Sequence, residues 1–300
     1  MSRSHIQAPP PAAAAALIST LVLLAPAVNA DPIGYALGGR GPELYRIDLA
    51  TVEVEQIGPT GPIGEGRVRL TFHADGTLYG LVGSGVSLRL VAFDPATGTG
   101  QVVAEFALDL PSFELYGFAG VADGGLWAAG LTEDAQGGYH GVILAIDPAG
   151  GTAGEPVVIQ GGGPFEFGLA ACGNQLLLLR AGLFAIDPVT GERTELFAAS
   201  PPAEGVDVGP DGGLWTVYTG PLPGTFPPPH GRVYRMDLAT GEIVQVGGTG
   251  VFHGLAISPP VAGACIAGTP LAVPTLSPLA LVVLAISLVV AARWVRRRHA

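Results

Sequence analysis

The sequence predicts an all-β protein: a five-bladed β-propeller whose first blade is closed by an inner strand from the far end of the chain, followed by a C-terminal transmembrane helix. Three observations predict the propeller. A phrase of the form apolar–x–Asp–Pro/Leu–Ala–Thr–Gly recurs five times, with its aspartate at Asp48, Asp94, Asp147, Asp187 and Asp237. Its intervals of 46, 53, 40 and 50 residues match one four-stranded blade each. A second tight-turn signal, Asp-Gly or Gly-Asn between apolar runs, precedes the phrase at Asp75, Asp123, Asn174 and Asp211. The unit is therefore strand A, Asp-Gly turn, strand B, variable loop, strand C, Asp-Pro turn, strand D.

Blade one contains strands B, C and D only. Asp31-Pro32-Ile33-Gly34-Tyr35 matches the Asp75-Gly76-Thr77-Leu78-Tyr79 start of a B strand. Leu44–Ile47 and Glu53–Ile57 flank Asp48 as its C–D hairpin. Valine 52 stands where the other phrases have glycine, so this loop is expected to be the least regular. Blades two to five are complete. The missing A strand is found in His253-Gly254-Leu255-Ala256-Ile257-Ser258, which matches Phe167-Gly168-Leu169-Ala170-Ala171-Cys172 of blade four. Using it in blade one closes the ring and leaves no open sheet edge at the seam.

Composition narrows the function. The chain has no lysine, and nine arginines stand against all 25 acidic residues between Asp31 and Glu242, a net −16. A nucleic-acid partner requires the opposite sign to neutralise phosphates, so none is expected. Residues 1–30 carry Arg3 and His5, an apolar run from Ala12 to Leu24, and Val28 and Ala30 before Asp31. This pattern predicts a signal peptide cleaved before Asp31, an uncleaved anchor being the alternative. The propeller is expected over 31–262 and a linker over 263–273. Leu279 to Ala292 is apolar or small apart from Ser287, and predicts a membrane-spanning helix over about 277–295. Arg293, Arg296, Arg297 and Arg298 follow it and are expected to stay cytoplasmic, with the propeller on the opposite side.

The tail, 274–300, joins Pro274-Thr275-Leu276 to the apolar helix and the closing arginines. It resembles the IPTL-CTERM type of the PEP-CTERM-like bacterial sorting signals. The resemblance covers about the last 30 residues; Val273 replaces the usual Ile, and no Trp-Gly follows the motif. It implies an exosortase-type membrane protease as partner, processing between Pro274 and Leu276, and transfer to the cell surface or beyond. A plain membrane anchor is the alternative. The repeats over 31–260 resemble the broad superfamily of NHL-, YVTN- and PQQ-like propellers, which implies the fold and no particular activity.

The blade order puts the Asp-Gly and Asp-Pro turns on one face and the variable loops on the other, where binding is usual. Around the channel mouth on that face the sequence places Arg69, Glu114, Tyr116, Glu166, Phe167, Glu204 and His253. Carboxylates, a histidine and aromatics at one mouth suit a small polar ligand, but do not make a defined metal site; no metal, cofactor or catalytic set is expected. The repeated aspartates lie one per blade and read as turn formers. Cys172 and Cys265 are the only cysteines, and in an exported chain they are expected to form one disulfide pinning the closing strand. Two free or lipid-modified thiols is the rival reading. The expected role is an exported binding or structural propeller of unknown ligand; the alternative is an extracellular lyase-, lactonase- or hydrolase-like enzyme using the channel mouth.

Overall fold

The computed structural model describes residues 31–38, 43–63, 66–161, 168–218, 231–250 and 252–258. These form five antiparallel sheets arranged as blades. Blade one orders β21 (Phe252–Ser258), β1 (Ile33–Gly38), β2 (Glu43–Asp48) and β3 (Val54–Pro59) from the inside out. Blade two runs β4 (Arg67–Phe72), β5 (Leu78–Ser84), β6 (Ser87–Phe93) and β7 (Gly100–Ala107). Blade three runs β8 (Glu114–Gly120), β9 (Leu126–Glu133) and β10 (Tyr139–Asp147), and its outer position is shared by two short strands. These are β11 (Thr152–Ala153) and β12 (Val157–Val158), both paired with β10. Blade four runs β13 (Gly168–Cys172), β14 (Gln175–Leu179), β15 (Leu183–Ile186) and β16 (Arg193–Phe197). Blade five runs β17 (Gly205–Val208), β18 (Gly213–Tyr218), β19 (Arg232–Asp237) and β20 (Ile243–Gly248).

Strand character follows position. The inner β13 is buried throughout, while the outer β3, β7 and β20 are mostly exposed. An inner strand has neighbouring blades on both faces and so reads as an unbroken apolar run. The core lies between blades. Leu81, Leu88, Leu90, Leu115, Phe118 and Leu126 fill the space between blades two and three. Leu37, Leu44, Leu70 and Phe72 do the same between one and two.

Closure occurs as expected. β21 pairs with β1 in the register Ile33↔Ser258, Gly34↔Ile257 and Tyr35↔Ala256, with a bulge before Leu37. Ala256 and Ile257 are wholly buried, so the C-terminal strand is core and not appendage.

The Asp-Pro turns are built alike. The Asp48 carboxylate accepts the Ala50 and Thr51 N–H groups at 2.9 and 3.0 Å, and Asp237 accepts those of Ala239 and Thr240, both at 2.9 Å. Such bonds favour the charged form and hold Asp48, Asp187 and Asp237 below the usual carboxylate range. The loop of blade one is not irregular, contrary to expectation. Val52 takes φ 62°, within the span of Gly151 (61°) to Gly98 (81°), and its N–H reaches the Asp48 carbonyl at 2.8 Å as Gly98 reaches Asp94. The turn's hydrogen bonds hold valine in the left-handed region at a cost of about 1–2 kcal/mol.

No helix among the described residues is long and apolar enough to cross a membrane. The expected signal peptide, linker, sorting motif Pro274–Leu276, spanning helix and arginine cluster lie outside the described residues.

Candidate functional site

The five inner strands place one residue each at the same level of the central channel. Register against their B strands aligns Arg69, Gly117, Gly168 and Gly205; in β21 a bulge sets His253 opposite Leu37, and Gly254, two residues before Ala256, takes the matching place in the strand. All five line one cavity, together with Leu70, Tyr116 and Glu204. Four of the five positions are glycine because adjacent inner strands nearly touch there. A Cβ on Gly117 would lie 2.4 Å from Leu169 Cβ, and one on Gly205 2.4 Å from the Gly254 carbonyl carbon.

Arg69 is therefore the one long side chain at this level. It is only 8% exposed. Its Nε donates to the Tyr116 carbonyl of the next blade at 2.8 Å, and a terminal nitrogen donates to the Val68 carbonyl at 3.1 Å. The space that remains beside it is no larger than a water molecule.

The other expected mouth residues form pairs across seams. Glu114 of blade three meets Arg67 of blade two at 2.9 Å, and the Arg67 guanidinium lies 4.8 Å from the centre of the Tyr116 ring. Glu204, leading into β17, meets His253 of β21 at 3.4 Å. The structure thus gathers Arg69, Tyr116 and Glu204 at the cavity, with Glu114 and His253 on the rim. Glu166 and Phe167 lie outside the described residues. Both rim pairs are solvent-accessible, so each contributes little stability, about 0–1 kcal/mol, and each joins two neighbouring blades.

Two other histidines belong to turns. His73 bonds the Gly124 carbonyl at 2.9 Å and sits 2.9 Å from Asp75, whose carboxyl is held at a pKa of about 2 first by the Thr77 N–H at 2.8 Å and then by His73. His140 meets Asp134 at 2.5 Å inside the blade-three hairpin. Among the described residues no three His, Cys, Asp or Glu side chains converge on a metal position. Cys172 ends β13, is buried and is disulfide-bonded; Cys265 lies outside the described residues.

No protein-family model matches this sequence, and no curated protein matches it. The chain is similar to several solved structures. TolB from Acinetobacter baumannii is 13% identical with a TM-score of 0.46, over 75% of this chain and 55% of that one. This chain therefore spans about half the length of TolB. YjhT is 12% identical at 0.45, over 74% of this chain and 82% of its own. An oligogalacturonate lyase in complex with manganese is 17% identical at 0.33, over 68% and 58%.

Sequence reasoning named Arg69 but not its setting. The signal was present: stacking the five A strands shows glycine at four of five equivalent positions. Turn residues mark where each strand ends and leave its channel-facing level unmarked.

Proposed function

We propose that this is an exported, cell-surface-sorted β-propeller acting as a binding or structural module, through the surface of its mouth face and not through chemistry in the channel. The observation that carries the reading is the filled channel. A catalytic base or acid must come within hydrogen-bond reach of a substrate atom, yet Arg69 occupies the level where a substrate would enter, leaving room for one water. Among the described residues, the rim charges Glu114, Glu204 and His253 are engaged in pairs across blade seams, Glu114 with Arg67 and Glu204 with His253. The bonded state of Cys172 supports export, since such bonds persist in oxidising compartments.

In this reading the signal peptide exports the chain, the helix at about 277–295 holds a membrane precursor, and an exosortase-type protease cuts within Pro274–Leu276. The propeller then passes to the surface with the linker as its new C-terminus.

The test compares wild type with Arg69→Ala. Deleting the guanidinium leaves the Tyr116 and Val68 carbonyls to water and costs about 1–3 kcal/mol, but opens the channel. Binding to isolated envelope polysaccharide is expected to be unchanged. Turnover of that polysaccharide by wild type, abolished by Arg69→Ala, would establish the enzymatic alternative instead.

A further inference from the structure

Four of the five blades carry the same irregularity in their outer strand. Its pairing with strand C slips by one residue, leaving Ile57, Val103, Leu196 and Val246 as the extra residue of a bulge. The residues that follow are Gly58, Ala104, Phe197 and Gly247, paired with Leu44, Leu90, Leu183 and Val233. A bulge re-aims the positions beside it, and each of these four meets the Asp-Pro turn of the next blade. A Cβ built on Gly98 would lie 2.7 Å from the Gly58 carbonyl oxygen, one on Gly151 3.7 Å from Ala104 Cβ, and one on Gly241 2.5 Å from the Phe197 ring. In blade three, whose outer position is divided, the next turn's Gly191 faces the Val158 carbonyl.

At the closing seam the roles are exchanged. The turn residue is Val52, the strand residue is Gly247, and a Cβ built on Gly247 would lie 2.7 Å from Val52 Cγ2. Four turns thus present glycine, which fits opposite anything from Gly58 to Phe197. The fifth presents a side chain, and it fits because the strand opposite has none. The turn itself gains nothing from valine: Gly98, Gly151, Gly191 and Gly241 give the same N–H to the carbonyl of their own aspartate. Glycine would also adopt φ 62° at less cost.

We propose that Val52 and Gly247 form a seam key that sets which blade closes the ring: blade one docks on blade five and is refused by blade four, where Phe197 fills the matching place. Misassembly of neighbouring units is a characteristic failure of repeat folds. Here the competitor is a short ring in which blade one docks on blade four and β17–β20 stay outside. Val52 would then meet Phe197, two side chains in a space that holds at most one at the native seams. The Val52 γ carbons are fixed by the β-branch and cannot swing aside. Overpacking of this kind disfavours the short ring by about 5- to 150-fold. A strained valine that weakens its own turn is thereby a device for blade order.

Two measurements on the full-length chain in mild detergent test the key. In thermal unfolding, Gly247→Val is expected to lower Tm by about 2–12 °C. The double variant Val52→Gly/Gly247→Val returns the seam to one side chain and should recover most of that loss. Equal losses in the two variants overturn the fit; should Gly247→Val fail to fold, a double variant that also fails overturns it. In refolding from urea, pulsed hydrogen exchange counts molecules that protect β1 and β21 while β17–β20 remain open. Val52→Gly removes the clash of the short ring and is expected to raise that fraction by about 5-fold or more. A fraction equal to that of wild type overturns the proposal.

Discussion

Replacing Gly205 with alanine drives a wedge into the ring at its closing seam. The added Cβ would lie 2.4 Å from the Gly254 carbonyl carbon and 2.5 Å from the Leu255 nitrogen. Non-bonded carbons rest at about 3.5–4.0 Å, so β17 and β21 must separate by roughly 1 Å. The obstructing atoms are backbone, and no rotamer change relieves them. Overpacking of this kind costs about 1–3 kcal/mol, and an unyielding backbone puts Gly205→Ala near the upper end. For a domain of this size each kcal/mol moves Tm by about 2–4 °C, giving a fall of about 6–12 °C. The assay is thermal unfolding followed by circular dichroism, with Gly248→Ala as control. Gly248 lies in an outer strand, has 3.6 Å to its nearest neighbour and shares the same unfolded-state gain. Equal melting temperatures for the two variants would refute the claim that inner strands of adjacent blades are in backbone contact.

Two further outcomes follow from the same geometry. Val52→Gly relieves a valine held at φ 62°; after loss of its side-chain packing it should raise stability by about 0.5–1 kcal/mol in urea unfolding, and a loss would show that the packing dominates. Thiol titration in denaturant should find none without reductant and two with it if Cys172 is bonded to Cys265; equal titres would refute the pairing.

Most of the fold was legible because its punctuation is local. Asp-Gly and Asp-Pro turns need particular residues at particular positions, so each blade announces its own hairpins. The closing strand was legible because His253–Ser258 repeats the pattern of an inner strand. The regular loop at Val52 was not, since the sequence shows an unfavourable residue but not the hydrogen bonds that hold it in place. The site was legible by membership only. That Arg69 fills a gap left by four glycines depends on strands about 40–50 residues apart meeting at one level. The bond that the Asp207 carboxylate of β17 accepts from the Ile257 N–H of β21, at 2.8 Å, was opaque for a related reason. Its donor is an N–H 50 residues away, and nothing local to Val-Asp-Val-Gly marks that N–H as lacking a strand.

The account rests on residues 252–258 being the inner strand of blade one, and truncation tests this most directly. A chain ended after Gly250 loses Phe252, Leu255, Ala256 and Ile257, all buried, and leaves blade one with an open inner edge. It should show no cooperative thermal transition, and a synthetic peptide spanning 251–262 should restore one in trans. A chain ended after Gly250 that melts as cooperatively, and at the same temperature, as one ended after Ala262 would contradict the closed ring.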